Sequence, residues 1–219
     1  MKNNKLKSLK NILSEIIWLF VIGCILGFIL ETLWYLIKNG VWINKQGLIY
    51  GPFKPMYGTG LIVIVLIMRN FQDKKLWQKF LLGIIIGSAF EYIGSLFQEV
   101  AFGTSTWDYS KFNYNISGRI YLPYCIAWGF ITIICMEYLY PWFEKWHAKL
   151  INNNIGKNIT ILVWIFMIIN ILLTTLATLR YSERANNIER TSTVFKFIDK
   201  QYNDEYMKLK FPKLFIIGK

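Results

Sequence analysis

Three glutamates lie in stretches otherwise suited to lipid. Glu31 sits inside the apolar run 16–37. Glu91 lies near the middle of the run 80–102, with Glu99 two helical turns further on. A carboxylate at that depth costs roughly 2.5–3.5 kcal/mol on insertion scales, so such residues face a bundle interior or a wet cavity and mark a pathway or a site. Spacing gives each one a direction. Gly23, Gly27, Glu31 and Tyr35 recur every four residues and share one helical face, and the glycine pair on it admits a neighbouring backbone. On the later run Gly87 or Ser88, Glu91, Ser95, and Gln98 or Glu99 form a second polar stripe. Carboxylates at graded depths suit a cation or proton route. They equally suit a cationic head group, or a metal ion held by hard oxygen ligands.

The loops add basic and aromatic residues. The rigid run Gly51-Pro52-Phe53-Lys54-Pro55-Met56-Tyr57-Gly58 carries a single charge, Lys54. Trp107-Asp108-Tyr109-Ser110 and Gly118-Arg119-Ile120 precede the fourth apolar run, and Arg119 is placed to pair with Asp108 or with a glutamate. Trp42, Trp107 and Tyr109 suit an interfacial aromatic belt. Glu137, before Pro141, reads as interfacial. The only histidine, His147, reads as a loop residue, away from any triad or zinc cluster. Cys24, Cys125 and Cys135 lack ligand spacing and read as buried thiols. No cofactor and no metal centre is expected. Gly156-Lys157-Asn158 lacks the glycine spacing and hydroxyl of a phosphate-binding loop, so the chain does not hydrolyse ATP by that route.

Positioning these residues requires a membrane domain. Of the 219 residues 54% are hydrophobic, and several runs reach the roughly 20 residues that cross a bilayer as a helix. The expected fold is all-α, a polytopic membrane helical bundle of about five transmembrane helices with a broken or re-entrant second element. The spans fall at about 16–37, 47–68, 80–102, 120–143 and 159–179. The second is interrupted by Gly51, Pro52, Pro55, Gly58 and Gly60, and non-helical backbone at that depth must be buried in protein or line a cavity. Residues 1–15 form a basic N-terminus and 16–180 the transmembrane domain. Residues 181–219 form a charged tail that suits either an interfacial helix or a helix packed on the domain.

The net charge is +12, but the basic residues flank the spans and show none of the aromatic interleaving of a nucleic-acid groove, so the expected surroundings are membrane lipids and no nucleic acid. With the N-terminus in the cytoplasm, the inner segments 1–13, 69–79 and 144–158 carry eleven Lys and Arg against five in the outer loops, which favours that orientation in the cell membrane. The tail, counted from Arg180, carries nine more and then lies outside.

In order and spacing over residues 20–130, these pieces resemble the CmpB-like integral membrane family of ABC-transporter type IV permeases. The matching residues are Glu31, Ile43-Asn44, the Gly51–Gly58 run, Glu91 with Ser95 and Glu99, Trp107-Asp108-Tyr109-Ser110, Asn115, Gly118-Arg119-Ile120 and Trp128-Gly129. Two departures stand out. Asn44-Lys45-Gln46 replaces the family's Asn-Arg-Gly, which loses a bidentate arginine, and Tyr121 stands where cysteine is common. The resemblance implies a permease served by a separate ATPase subunit. Together with the stripes, it makes Glu31, Glu91, Glu99, Asp108, Arg119, Lys54, Tyr57 and Asn115 the candidate substrate- or ion-binding residues. Three readings remain open: a transporter component with its carboxylate site facing the non-cytoplasmic side, a membrane-embedded enzyme acting on a lipid or lipid-linked substrate, and a scaffold or sensor whose carboxylates only pair helices.

Overall fold

The computed structural model describes residues 9–217. Among the described residues four helices are long and apolar enough to cross a membrane: α1 (Leu9–Asn39), α3 (Leu76–Phe102), the continuous helical stretch Leu122–Ile151, and α6 (Asn154–Ala185). The second span is shorter. Its helix α2 (Pro55–Met68) starts with Pro55 in its first turn, where the missing N–H costs nothing, and ends in a single tight turn at Arg69–Phe71. The chain enters α2 through a non-helical segment, 47–54, that drops deep against α1. The Lys54 amide donates to the Cys24 carbonyl at 3.2 Å, about 22 Å along α1 from its C-terminal end. Protein satisfies this segment's polar groups. The Ile49 amide donates to the Thr174 hydroxyl at 3.0 Å. Asn170 accepts from the Tyr50 amide at 3.1 Å and donates to the Tyr50 carbonyl at 2.7 Å.

The two glycines of the first stripe are where α1 meets α2. A methyl group at Gly23 would stand 2.9 Å from the Gly58 Cα, and one at Gly27 would lie 2.1 Å from the Tyr57 ring. Lacking any Cβ, they let the helices close onto each other. One core cluster joins Leu19, Ile64, Val65, Met68, Trp128 and Phe143 across three spans.

The fourth span runs longer than the sequence suggests. Helix α4 (Leu122–Ile134) passes through one wide π turn, Cys135–Leu139, into α5 (Tyr140–Ile151). Pro141 explains the wide turn, because its ring displaces the carbonyl four residues back and removes one helical donor. The expected loop 144–158 is therefore mostly helix. His147 is not a loop residue: it is buried on α5, with its Nε2 2.9 Å from the Ser14 hydroxyl. Glu137 pairs with the buried Lys79 at 2.5 Å.

The tail packs back onto the bundle. Helices α7 (Thr193–Gln201) and α8 (Asp204–Lys210) open with the caps Ser192 and Asn203. Two short antiparallel ladders lie among the loops. In one, β1 (Thr104–Ser105) pairs with β4 (Phe215–Ile216); in the other, β2 (Asn115–Ile116) pairs with β3 (Ile120–Tyr121). Ile198, Tyr202, Met207 and Phe211 bury against Ile49, Ala177 and Tyr181. Arg180, 2% exposed, fastens this arrangement through Asp199 and Glu183, while Arg184 binds Asp199 and Asp204.

Burial pushes the Asp199 carboxyl up, but hydrogen bonds from Arg180 and Arg184 outweigh it and hold the group below the ordinary range. A carboxyl lowered by folding stabilises above its unfolded pKa of about 3.9, and that stabilisation is lost as pH falls through the lower folded value. Hydrogen exchange across α7 should therefore stay slow at pH 5 and accelerate only below about pH 4. Acceleration already complete at pH 5 would show that Asp199 does not anchor the tail.

Candidate functional site

The candidate carboxylates divide into three separately satisfied groups. Glu31, in the last third of α1, forms an ion pair with Lys54 and lies 3.5 Å from Lys45. Both lysines reach it from the segment between α1 and α2, which the Gly/Pro run folds inward. Glu91, 7% exposed on α3, accepts from the Trp128 indole at 2.9 Å and from the Tyr109 hydroxyl at 3.2 Å. Glu99, one turn from the end of α3, binds the guanidinium of Arg119, which also donates to the Ser95 hydroxyl at 3.2 Å and lies over the Tyr92 ring.

Tyr57 links the first two groups. Its ring fills the space that Gly27 leaves on α1, and its phenol lies within electrostatic reach of Glu31, Glu91 and Tyr124. Tyr109 interacts with Glu91, Tyr124 and Tyr57 in turn. Phenols and one indole thus surround Glu91.

Asp108 and Asn115 do a different job. Asp108 accepts from the Ser110 amide at 2.8 Å and from the Ser110 hydroxyl, and these bonds hold its carboxyl below the usual range. Arg119 pairs with Glu99 rather than with Asp108. Asn115 donates to the Phe112 carbonyl at 2.7 Å and accepts from the Gly118 amide at 2.8 Å, closing the β2–β3 turn. Gly118, at φ +66°, passes so near Asp108 that a Cβ there would stand 2.6 Å from its carboxylate. These motif residues build the loop that presents Arg119 and Tyr109. Through its indole, Trp107 also fixes the Arg119 carbonyl at 3.0 Å.

A cavity of about 540 Å³ lies among α1, α2, α3, α6 and the tail. Glu31, Lys45, Lys54 and, from the tail, Lys213 line it, while Glu91, Glu99 and Arg119 do not. Its walls are largely apolar, with Phe90, Ile93 and Phe97 on α3 facing Ile171 on α6, and Met56 entering from α2. That volume falls within the range of small-ligand sites, which are apolar with a few placed polar groups. Among the described residues no three His, Cys, Asp or Glu side chains converge on a metal position.

Sequence reasoning missed Lys45, Lys213 and the donors to Glu91. Trp128 was visible as part of a motif, and Lys45 as a departure from one. Lys213 gave no signal, because the last segment's return to α1 is a purely tertiary event.

No curated protein and no solved structure matches the chain. Residues 18–175, covering α2, α3 and α4 and most of α1 and α6, match the family ABC_trans_CmpB, described as "Putative ABC-transporter type IV", and the chain belongs to that family.

Proposed function

We propose that this chain is the membrane-spanning permease component of a transporter, with its substrate site in the 540 Å³ cavity where Glu31, Lys45 and Lys54 meet apolar walls. The observation that carries this reading is the cavity itself: a chamber built from four spans, with a net-positive ion cluster at one end of an otherwise apolar interior. Family membership supports it, as does a sequence that offers no phosphate-binding loop of its own. The energy source is then an ATPase on a separate chain. In the orientation set by the basic loops, the N-terminus is cytoplasmic and the cavity lies toward the opposite face. An enzyme using Glu91 with Arg119 is less well supported, since the two bind different partners outside the cavity.

Gly94 provides the test. It lines the cavity, and a Cβ there meets only the flexible end of Met56, so a larger side chain displaces cavity volume without displacing backbone. The full chain, purified in mild detergent from its own membrane, should bring an ATP-hydrolysing subunit with it. Gly94→Trp should leave that assembly intact and lower ATP turnover by about tenfold, the equivalent of about 1.4 kcal/mol. Purification without an ATPase, or turnover indifferent to the filled cavity, would overturn the assignment.

A further inference from the structure

We infer that the cavity takes an anionic amphiphile, whose head group is held between Lys45 and Lys213 beside Tyr35 and whose chain lies along the apolar walls of α3 and α6. This deepens the transporter reading by naming the substrate class.

The charged residues lining the cavity are three lysines and one glutamate, an excess of two cations. Glu31 is shared between Lys54, its closest partner, and Lys45 at 3.5 Å. Lys213, on the tail between α8 and β4, has no carboxylate partner among the described residues. Its ammonium instead lies 5.2 Å from the centre of the Tyr35 ring, and the Lys45 ammonium lies 4.5 Å from that same centre. Two cations are thereby held within about 10 Å of each other, about one Debye length at 0.1 M salt. A cation over an aromatic face is attracted by the ring without its charge being neutralised. A phosphate-bearing head group placed between them would do so, and lysine suits it as a strong point charge.

The rest of the chamber specifies what is attached to that head. Phe90, Phe97 and Ile171 give an apolar lining, and Gln46 adds a polar group near the charged end. A free inorganic anion would leave that lining without a partner. A neutral or zwitterionic head would bring either no charge or a second cation to a cluster that already has an excess.

The test uses the purified full chain in a zwitterionic detergent, with lipid binding read by native mass spectrometry. The probes are phosphatidylglycerol, phosphatidylcholine of the same chains, and inorganic phosphate. Phosphatidylglycerol should bind about tenfold more tightly than phosphatidylcholine, and inorganic phosphate should not compete. Lys213→Ala and Lys45→Ala should each remove most of that preference. Lys145→Ala, on the exposed face of α5, should keep it. Equal binding of the two lipids, or a preference unchanged in Lys213→Ala, overturns the proposal. Competition by inorganic phosphate overturns its amphiphile part in favour of a free anion. Because binding is read without an ATPase, these outcomes are independent of the turnover measured with Gly94→Trp, and either result can fail alone.

Discussion

Replacing Arg180 with alanine should release the C-terminal tail while leaving the spans in place. Arg180 is the hub of the tail's attachment: its guanidinium meets both oxygens of Asp199 from one side and Glu183 from the other. Glu183 is 7% exposed, and Arg190 is its remaining partner. Removing one partner of a buried ion pair leaves an uncompensated charge and costs about 3–5 kcal/mol. The contacts of α7 and α8 with Ile49 and Ala177 form a cluster separate from the one that joins α1, α2 and α4, so a loss of this size falls on the tail's attachment rather than on the spans. Hydrogen exchange should show segment 193–217 opening while α1, α2 and α3 keep their protection. Asp199→Asn, which keeps the shape and loses one charge, should produce a weaker form of the same change. Full protection of α7 in Arg180→Ala would show that the apolar cluster alone is sufficient.

The second large effect belongs to the α1–α2 crossing. Gly58→Ala should destabilise the bundle by at least about 3 kcal/mol, at the upper end of overpacking costs. The added methyl group would stand 2.5 Å from the Cys24 sulfur and 2.6 Å from the Phe20 carbonyl oxygen. The carbonyl belongs to a helix and cannot swing aside, so α2 must move as a unit and carry Lys54 and Tyr57 away from Glu31. Gly94→Ala is the matched control. Its obstacle is the tip of Met56, a flexible side chain, and its cost should stay below about 1 kcal/mol. Thermal unfolding in one detergent compares the two directly. Similar midpoints for both variants would mean that the close approach at Gly58 relaxes easily.

Much of this was legible in the sequence, for reasons that explain the rest. Spans of about 20 apolar residues have no stable alternative in lipid, so their number could be read from composition. The Gly23–Gly27–Glu31–Tyr35 stripe could be read because helical spacing converts sequence into a face, and that face meets α2. The interrupted second span could be read because Pro and Gly constrain the backbone locally. What stayed hidden depends on partners far apart in sequence. Nothing near Glu91 announces that Trp128 and Tyr109 will satisfy it. The sequence left Arg119 to pair with Asp108 or with a glutamate, and only the fold chooses: Ser110 satisfies Asp108, and Glu99 takes Arg119. The π turn before Pro141 was implicit in the proline, yet its effect was to extend the span rather than end it.

The order in which the chamber's walls are made has a consequence for biogenesis. Glu31 and Tyr35 emerge in synthesis well before Lys213, which follows the last of the described spans. Every span can insert before the final wall exists, and during that interval the ion cluster is uncovered. A stalled or C-terminally clipped chain would thus occupy the membrane with its bundle formed and its chamber incomplete. Damage at that end should abolish ligand discrimination well before it affects the amount of protein in the bilayer, so abundance would be a poor indicator of function.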